Sequence, residues 1–518
     1  MLPRFVPAAL LGLLALGAAP STARIPSVVD SAIHQITAAE LHRHIATLAS
    51  DEMAGRGVGH AGNLEAEKYI AGALRDAHVP PAAPEYLQPV EVYQPRLGPE
   101  ARLSITTADA TAADLRAGPD FYPLPESGDK AVAGRVVFAG HGVAAPRVQI
   151  DDYAGLDVSG AIVLVLDEVP DTVKRMSTIS NEERAEMGSV ERKAADARAH
   201  GAVGLIIERS YLGDPHAMWP ETTSVRSASY RLLAPMRAAP MPVAVISERT
   251  AAAVRRALDG HKTVRADLSP DVVVTPIVMH NVLGMIEGRQ PGADIVVIGA
   301  HLDHDGIDEA GQIYNGADDN ASGTAAVLAI AAAFARAAAL GQKPSRAVVF
   351  ALWNGEEKGE LGAEYYAGAP VPARHVVANL NLDMIGREEE IPDPSDGRYL
   401  GFARTTAGQN TNVVHLLGYS LSPDLAAIVQ SANDSIGLTI KEDYDRESQN
   451  LLRRSDNWPF SEHGIPAVFL TTGLHPDYHT PTDDTDRIDF PKLERIAQLA
   501  CRALWMTADG DAPRLQSK

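Results

Sequence analysis

Histidine, aspartate and glutamate residues gather in five short stretches of the C-terminal half of the sequence: GAHLDH (299–304), NGADDNASG (315–323), NGEE (354–357), NLDMIG (381–386) and YHTPTDD (478–484). Alone, each is ordinary, because a carboxylate just beyond an apolar run is commonly a cap or a solvated turn. A solvated-turn reading would have to hold independently in all five, whereas one shared centre needs a single cause. The groups that would meet there are His301, Asp303, Asp318 or Asp319, Glu356, Glu357, Asp383 and His479. Imidazoles and carboxylates without thiolates suit divalent cations in a catalytic site, zinc foremost. Two cations about 3.5–4 Å apart need a shared anionic bridge. Of two adjacent glutamates, one can bind metal while its neighbour handles protons. Asp303, two residues beyond His301, is placed to hold that imidazole by its second nitrogen.

An α/β framework is what would bring these groups together. Ala293–Ala300, Arg346–Trp353, Val376–Leu382 and Ile465–Leu470 read as buried strands. They alternate with an alanine-rich helix over Ala321–Leu340 and a last helix near Pro491–Met506. Such alternation predicts a mostly parallel mixed sheet flanked by helices, and open sheets of that kind bind ligands at the carboxyl ends of their strands. Upstream, residues 36–50 and 63–77 have helical periodicity, 51–62 form a glycine-rich loop, and Tyr86–Tyr93 alternates like a strand. Between them, strand-like runs recur at Arg135–Ala139, Ala161–Asp167, Ala202–Glu208 and Pro242–Ile246 with few clusters of reactive side chains. The predicted division is a signal peptide (1–23), a first part of the main domain (24–99), an inserted β-rich domain (100–276) and the catalytic part (277–512).

Composition narrows the partners. Of 518 residues, 46 are Lys or Arg and 67 are Asp or Glu, giving a net charge of −21. That balance excludes nucleic acid as the natural partner, since phosphates demand a basic surface. The single cysteine, Cys501, excludes an intrachain disulfide framework and any cysteine-based zinc module. Phe5–Ala19 is an apolar run of 15 residues behind Arg4, followed by Ser21-Thr22-Ala23. It is short for a membrane span and reads as a signal peptide cleaved after Ala23. The expectation is an exported protein, periplasmic or extracellular, with no membrane anchor after cleavage.

These motifs, together with RSDNWPF (454–460) and SDEMAGRGVGHAG (50–62), resemble in order and spacing those of the M28 zinc aminopeptidases, in the secreted subgroup that carries a protease-associated domain. The segment 151–171 is similar to the core of that domain. The resemblance implies the zinc exopeptidase fold and two zinc ions. His301 and Asp383 would hold one zinc, Glu357 and His479 the other, and Asp319 would bridge them. Glu356 would be general base and acid, and Asp303 would orient His301. The implied activity is hydrolysis of the N-terminal peptide bond of peptides with a free amino terminus, by metal-activated water. A carboxypeptidase or dipeptidase on the same two-zinc site is the alternative within enzymes, with Arg387, Arg446, Arg453 and Arg454 flanking the motifs as candidate carboxylate holders. A non-catalytic, receptor-like relative is the alternative outside them. The resemblance also implies a cis peptide bond between Asp319 and Asn320. It leaves no ligand position for His304 or His475. Asp318 is expected to hydrogen-bond within its loop, and Asp483 to brace the His479 loop. Specificity is expected in walls drawn from Glu388 to Leu452, and the oligomeric state is not legible.

Overall fold

The computed structural model of the chain describes residues 24–516, apart from 108, 109, 119, 126, 177, 178, 180, 211–225, 227, 234–240, 291 and 448. Residues 1–23, where the signal peptide is predicted, lie outside the described residues. Among the described residues, nine strands form one mixed sheet. In chain order they are β1 (Leu87–Leu97), β2 (Arg231–Leu232), β3 (Val272–Ile286), β4 (Ile295–His301), β5 (Ala347–Trp353), β6 (Val376–Leu382), β7 (Val413–Leu417), β8 (Thr439–Lys441) and β9 (Ala467–Thr471). Their order across the sheet is β2-β1-β3-β5-β4-β6-β9-β7-β8.

The expected α/β fold with a mixed, helix-flanked sheet is present, but the sheet is not mostly parallel: four of its eight pairings are parallel and four antiparallel, and three of the parallel ones lie together at the centre. β4 runs parallel to β5 and β6, and β6 runs parallel to β9. Every residue of β4, β5 and β6 is buried. A strand covered by helices on both faces must be apolar on both, which is why these segments read as continuous apolar runs rather than alternating ones. The helix Gly323–Ala339 explains its own alanine content. The segment Ala317–Ala339 is apolar enough to cross a membrane by composition, yet 89% of its most apolar stretch is buried inside the protein. It is the central helix of the core, where small side chains let it lie close to the sheet. The final helix, Phe490–Asp509, packs beside it.

The antiparallel pairings at one side come from two long arms. β1 and β3 pair over eleven residues, from Leu87 opposite Val282 to Leu97 opposite Val272. They lead out to and back from a second, eight-stranded sheet drawn wholly from residues 102–269. Its strands include Val132–Phe138, Ile162–Leu166, Gly204–Arg209 and Val243–Ser247, where the sequence shows its strand-like runs. One short piece of this region does not stay with its own sheet. β2 returns to pair with Val92 and Tyr93 at the edge of the nine-stranded sheet.

The glycine-rich loop of the N-terminal part is more ordered than its composition suggests. It folds into a short 3-10 turn, Asp51–Arg56, and the next helix already begins at Ala61. Arg56 is 1% exposed and spends its guanidinium on main-chain carbonyls. It donates to Leu48 and Asn315 (2.6 Å each), Leu302 (2.8 Å) and Gly316 (2.9 Å). Gly55 sits at φ +67°, and a Cβ there would lie 2.5 Å from the Gly306 and Tyr314 carbonyl oxygens. Only glycine lets the turn approach this closely. The turn thereby ties together the two loops that follow β4.

Candidate metal centre

All seven residues singled out in the sequence converge on one spot at the carboxyl ends of the central strands. His301 is the last residue of β4, Asp383 directly follows β6, and Glu356 and Glu357 lie in a short turn after β5. Asp319 lies in the turn that opens the helix Gly323–Ala339, and His479 in the loop after β9. His301 Nε2 is 3.3 Å from Asp319 Oδ1 and 3.3 Å from Asp383 Oδ1. His479 Nε2 is 3.0 Å from Asp319 Oδ2 and 3.4 Å from Glu357 Oε2. The two oxygens of Asp319 therefore face different imidazoles. Glu356 Oε2 stands slightly further off, 3.8 Å from His301 Nε2. The Asp319–Asn320 peptide bond is cis.

These residues fit cations. His301, Asp319 and Asp383 offer donor atoms that all lie within 4.8 Å of one another, as do Asp305, Glu357 and His479. Asp383 Oδ1 is buried without a hydrogen-bond partner and points at that spot. Buried carboxylates outnumber the imidazoles, an arrangement that is costly unless positive charge enters it. The electrostatics of the cluster say the same. Burial opposes a charge on His479, yet Glu357, Asp319 and Asp305 around it push it up to about 10. Burial, with the charges of Glu357, Asp383 and Asp456, pushes Glu356 well above the usual carboxylate range against the opposing pull of His301.

The surrounding contacts fix the ligand geometry, in one case differently from expectation. Asp303 does hold His301, but by its main chain: Nδ1 donates to the Asp303 carbonyl at 3.1 Å, whereas the nearer carboxylate oxygen is 3.9 Å away. The carboxylate instead accepts the amides of Glu356 (3.1 Å) and Glu357 (3.3 Å). One residue thus orients the imidazole and anchors the glutamate turn. Asp318 hydrogen-bonds within its surroundings, taking the Gly386 amide at 2.6 Å and facing His475 Nε2 at 3.2 Å. Asp483 accepts the amides of Asp318 and Asp319 at 3.0–3.1 Å, bracing the Asp319 turn from the His479 loop. His304 comes closer than the sequence reading expects. Its Nδ1 is 2.8 Å from Glu357 Oε1 and its Nε2 is buried without a partner. Cys501 is buried in the last helix, and burial pushes its thiol up to about 12.

Four side chains around the centre were not legible in the sequence. Ser455 donates to Asp383 Oδ2 at 2.6 Å and accepts from Asn381 at 2.7 Å. It lies inside the RSDNWPF motif, so its place was signalled though its contact was not. Asp305 follows the GAHLDH motif directly. Arg56 and Arg226 carry no such signal. The cleft over the centre is walled by Met384, Leu451, Arg454, Phe469, Leu474 and Tyr478. Among these described residues, only Leu451 comes from the stretch expected to set specificity; Leu474 and Tyr478 come from the loop after β9, Phe469 from β9 itself, Met384 from the turn after β6 and Arg454 from just beyond the expected stretch.

Residues 281–504 match peptidase family M28. Leupeptin-inactivating enzyme 1 of Streptomyces exfoliatus is 28% identical over 248 residues, 42% of this chain and 47% of that protein. Leucine aminopeptidase 1 of Trichophyton rubrum is 25% identical over 229 residues, 42% of this chain and 56% of that protein. The probable glutamate carboxypeptidase VP8 of Zea mays is 27% identical over 336 residues, 57% of this chain and 43% of that protein. The chain spans about half the length of these relatives. The structure of an aminopeptidase from Aneurinibacillus sp. strain AM-1 shares the fold, with a TM-score of 0.50 and 19% identity, covering 94% of this chain and 97% of that one. The region 281–504, which holds every residue of the centre, belongs to peptidase family M28.

Proposed function

We propose that the protein is a two-zinc aminopeptidase that removes the N-terminal residue of peptides. The observation that carries this reading is Asp319, whose two oxygens lie 3.3 and 3.0 Å from the Nε2 atoms of two different histidines. Such a carboxylate is what a pair of cations requires between them. In this reading His301 and Asp383 hold one zinc, Glu357 and His479 hold the other, and Asp319 bridges. When bound, the ions supply Lewis acidity for the scissile carbonyl and lower the pKa of water. Glu356 takes the proton of the attacking water and delivers it to the leaving amine. Asp303 keeps the His301 ring oriented through its carbonyl and keeps Glu356 in place through its carboxylate. The surplus of carboxylates at the cleft floor suits a substrate's free ammonium group, and the apolar walls Leu451, Phe469 and Leu474 suit an apolar first side chain.

A second reading rests on Arg454, which lines the cleft and donates to Tyr478 at 3.2 Å. In a carboxypeptidase or dipeptidase that guanidinium would take the substrate's terminal carboxylate. Arg387, by contrast, is occupied by Asp477 at 2.8 Å. Turnover of a leucyl anilide with a free amine, set against an N-blocked peptide with a free carboxylate, separates the two readings. A protein that binds no zinc and turns over neither would favour a receptor-like role.

We further propose that residues 1–23 are removed on export to the periplasm or medium, and that residues 100–276 are a protease-associated insertion. N-terminal sequencing of the protein from fractionated cells tests the first. For the second, substitutions on the face of the insertion nearest the centre should alter cleavage of peptides more than of small anilides.

A further inference from the structure

Arg226 comes from the 100–276 region, yet it lies against the loops of the metal centre. Its Nε donates to Asp305 Oδ2 at 3.0 Å, its Nη1 to the Tyr314 hydroxyl at 3.0 Å, and its Nη2 to the His479 carbonyl at 3.4 Å. The guanidinium also lies 4.2 Å from the centre of the Tyr314 ring, a stacking that arginine favours and that fixes the plane of the fork. Asp305, 6% exposed, uses the same Oδ2 to face His479 Nδ1 at 3.4 Å. The opposite nitrogen of that ring, Nε2, is the one turned to Asp319 and Glu357. His479 itself sits at φ 53°, a left-handed conformation that few residues other than glycine adopt, so something must hold it there. Arg226 reaches both the carbonyl of this residue and the carboxylate that faces its ring. The main chain of Arg226 is tied in as well, its carbonyl accepting from Lys358 Nζ at 2.9 Å, directly after Glu357. Every one of these contacts falls on the Glu357–His479 half of the centre. Among the described residues, none is recorded between Arg226 and the His301–Asp383 half.

We propose that Arg226 is a positioning residue for one of the two metal sites: it holds Asp305, and through Asp305 fixes the His479 ring with Nδ1 protonated and Nε2 free for the cation. The inference rests on the two-zinc reading above. A ring nitrogen that donates to a carboxylate leaves its partner nitrogen as the stronger ligand, and loss of such an outer partner typically costs about 10–100-fold in metal affinity. Arg226 has a second effect. By pairing with Asp305 it keeps that carboxylate from turning onto the cation in place of the imidazole. A segment outside the metal-ligand motifs would thereby set the zinc affinity of one site and leave the other alone.

The test is competition of the zinc-loaded full chain against a chelator of graded affinity, with wild type, Arg226→Met, Arg226→Lys, Asp305→Asn and the Arg226→Met/Asp305→Asn double variant. Methionine keeps the stem against Tyr314 and removes the donors. One zinc should be held about 10-fold more weakly in Arg226→Met and about 10–100-fold more weakly in Asp305→Asn, while the other stays within about twofold. Lysine keeps the charge but not the fork, and should recover part of the loss. The double variant should be no weaker than Asp305→Asn, because Arg226 acts through Asp305. Unchanged affinities in Arg226→Met, equal weakening of both zincs, or additive losses in the double variant would each overturn the inference. If Arg226→Met does not fold, an unchanged affinity in Asp305→Asn overturns it alone. Wild-type protein holding fewer than two zincs would instead sink the two-zinc reading, and the relay with it.

Discussion

Replacing Glu356 by glutamine tests the proton-transfer role with the least disturbance. Glutamine has the same shape, and the Glu356 amide stays anchored on Asp303 at 3.1 Å, so the turn has no reason to move. Metal content should also persist. The nearest oxygens to His301 Nε2 belong to Asp319 and Asp383 at 3.3 Å, while that of Glu356 is 3.8 Å away. What the amide cannot do is accept the proton of water and return it to an amine. General acid–base groups contribute roughly 10²–10⁴-fold, which at about 1.36 kcal/mol per tenfold is about 2.7–5.4 kcal/mol of barrier. The assay is steady-state hydrolysis of a leucyl anilide alongside zinc content by elemental analysis. kcat and kcat/KM should fall together with KM little changed, since only the transition state loses an interaction. A variant that keeps its zinc and works within about tenfold of wild type would put the rate gain below the usual contribution of such a group and remove Glu356 from the mechanism. Loss of zinc would make Glu356 a ligand and would overturn the division of labour between the two glutamates.

Other perturbations separate the parts of the centre. Asp319→Ala should weaken both zinc sites together, whereas Glu357→Ala should mainly empty one; equal loss from Glu357→Ala, read by zinc titration, would contradict the bridge assignment. Ser455→Ala removes the 2.6 Å hydrogen bond to buried Asp383 and should lower affinity at the His301 site by about 10-fold, with the His479 site unaffected. Away from the centre, His44 is 7% exposed, and burial, with Arg43 beside it, lowers its pKa to about 4. Between its ordinary value near 6.5 and about 4 the unfolded chain then binds the extra proton, so this group's contribution to stability is intact above the upper limit and declines as pH falls through that window. At about 1.4 kcal/mol per unit the loss approaches roughly 3 kcal/mol by pH 4. Thermal melts of His44→Gln should show a shallower acid dependence than wild type, and parallel curves would refute the assignment.

The central strands and the candidate donors at their ends were legible because one physical demand shaped both. A strand buried on two faces must be apolar throughout, so β4, β5 and β6 announce themselves, and a polar residue at the end of such a run is conspicuous. His301, Glu356, Glu357 and Asp383 stand out for that reason. The long helix was legible from its alanines, and its caps fell within two residues of the expected ends. The strand at Tyr86–Tyr93 was legible too, but its pairing with β3 was not, since nothing in Leu87–Leu97 states that its partner is Val272–Val282. Pairing over that distance is a property of the packed sheet rather than of either segment.

The limit is sharper at the level of side chains. What a residue binds can be inferred from its type; what it braces cannot, when the brace is main chain. Asp303 was expected to orient His301 by its carboxylate, the one group its type advertises, and does so by a carbonyl that every residue possesses. Arg56 grips four carbonyls whose owners, Leu48, Leu302, Asn315 and Gly316, have nothing in common but their place in space. Arg226 is one arginine among many in a region without reactive clusters, and its role appears only once folding brings Asp305, Tyr314 and His479 around it. The donors of a metal centre are written as a pattern because the metal selects their chemistry. The groups that hold those donors are selected by position alone, so they have to be found in the fold and then tested one by one, as the paired Arg226 and Asp305 variants do.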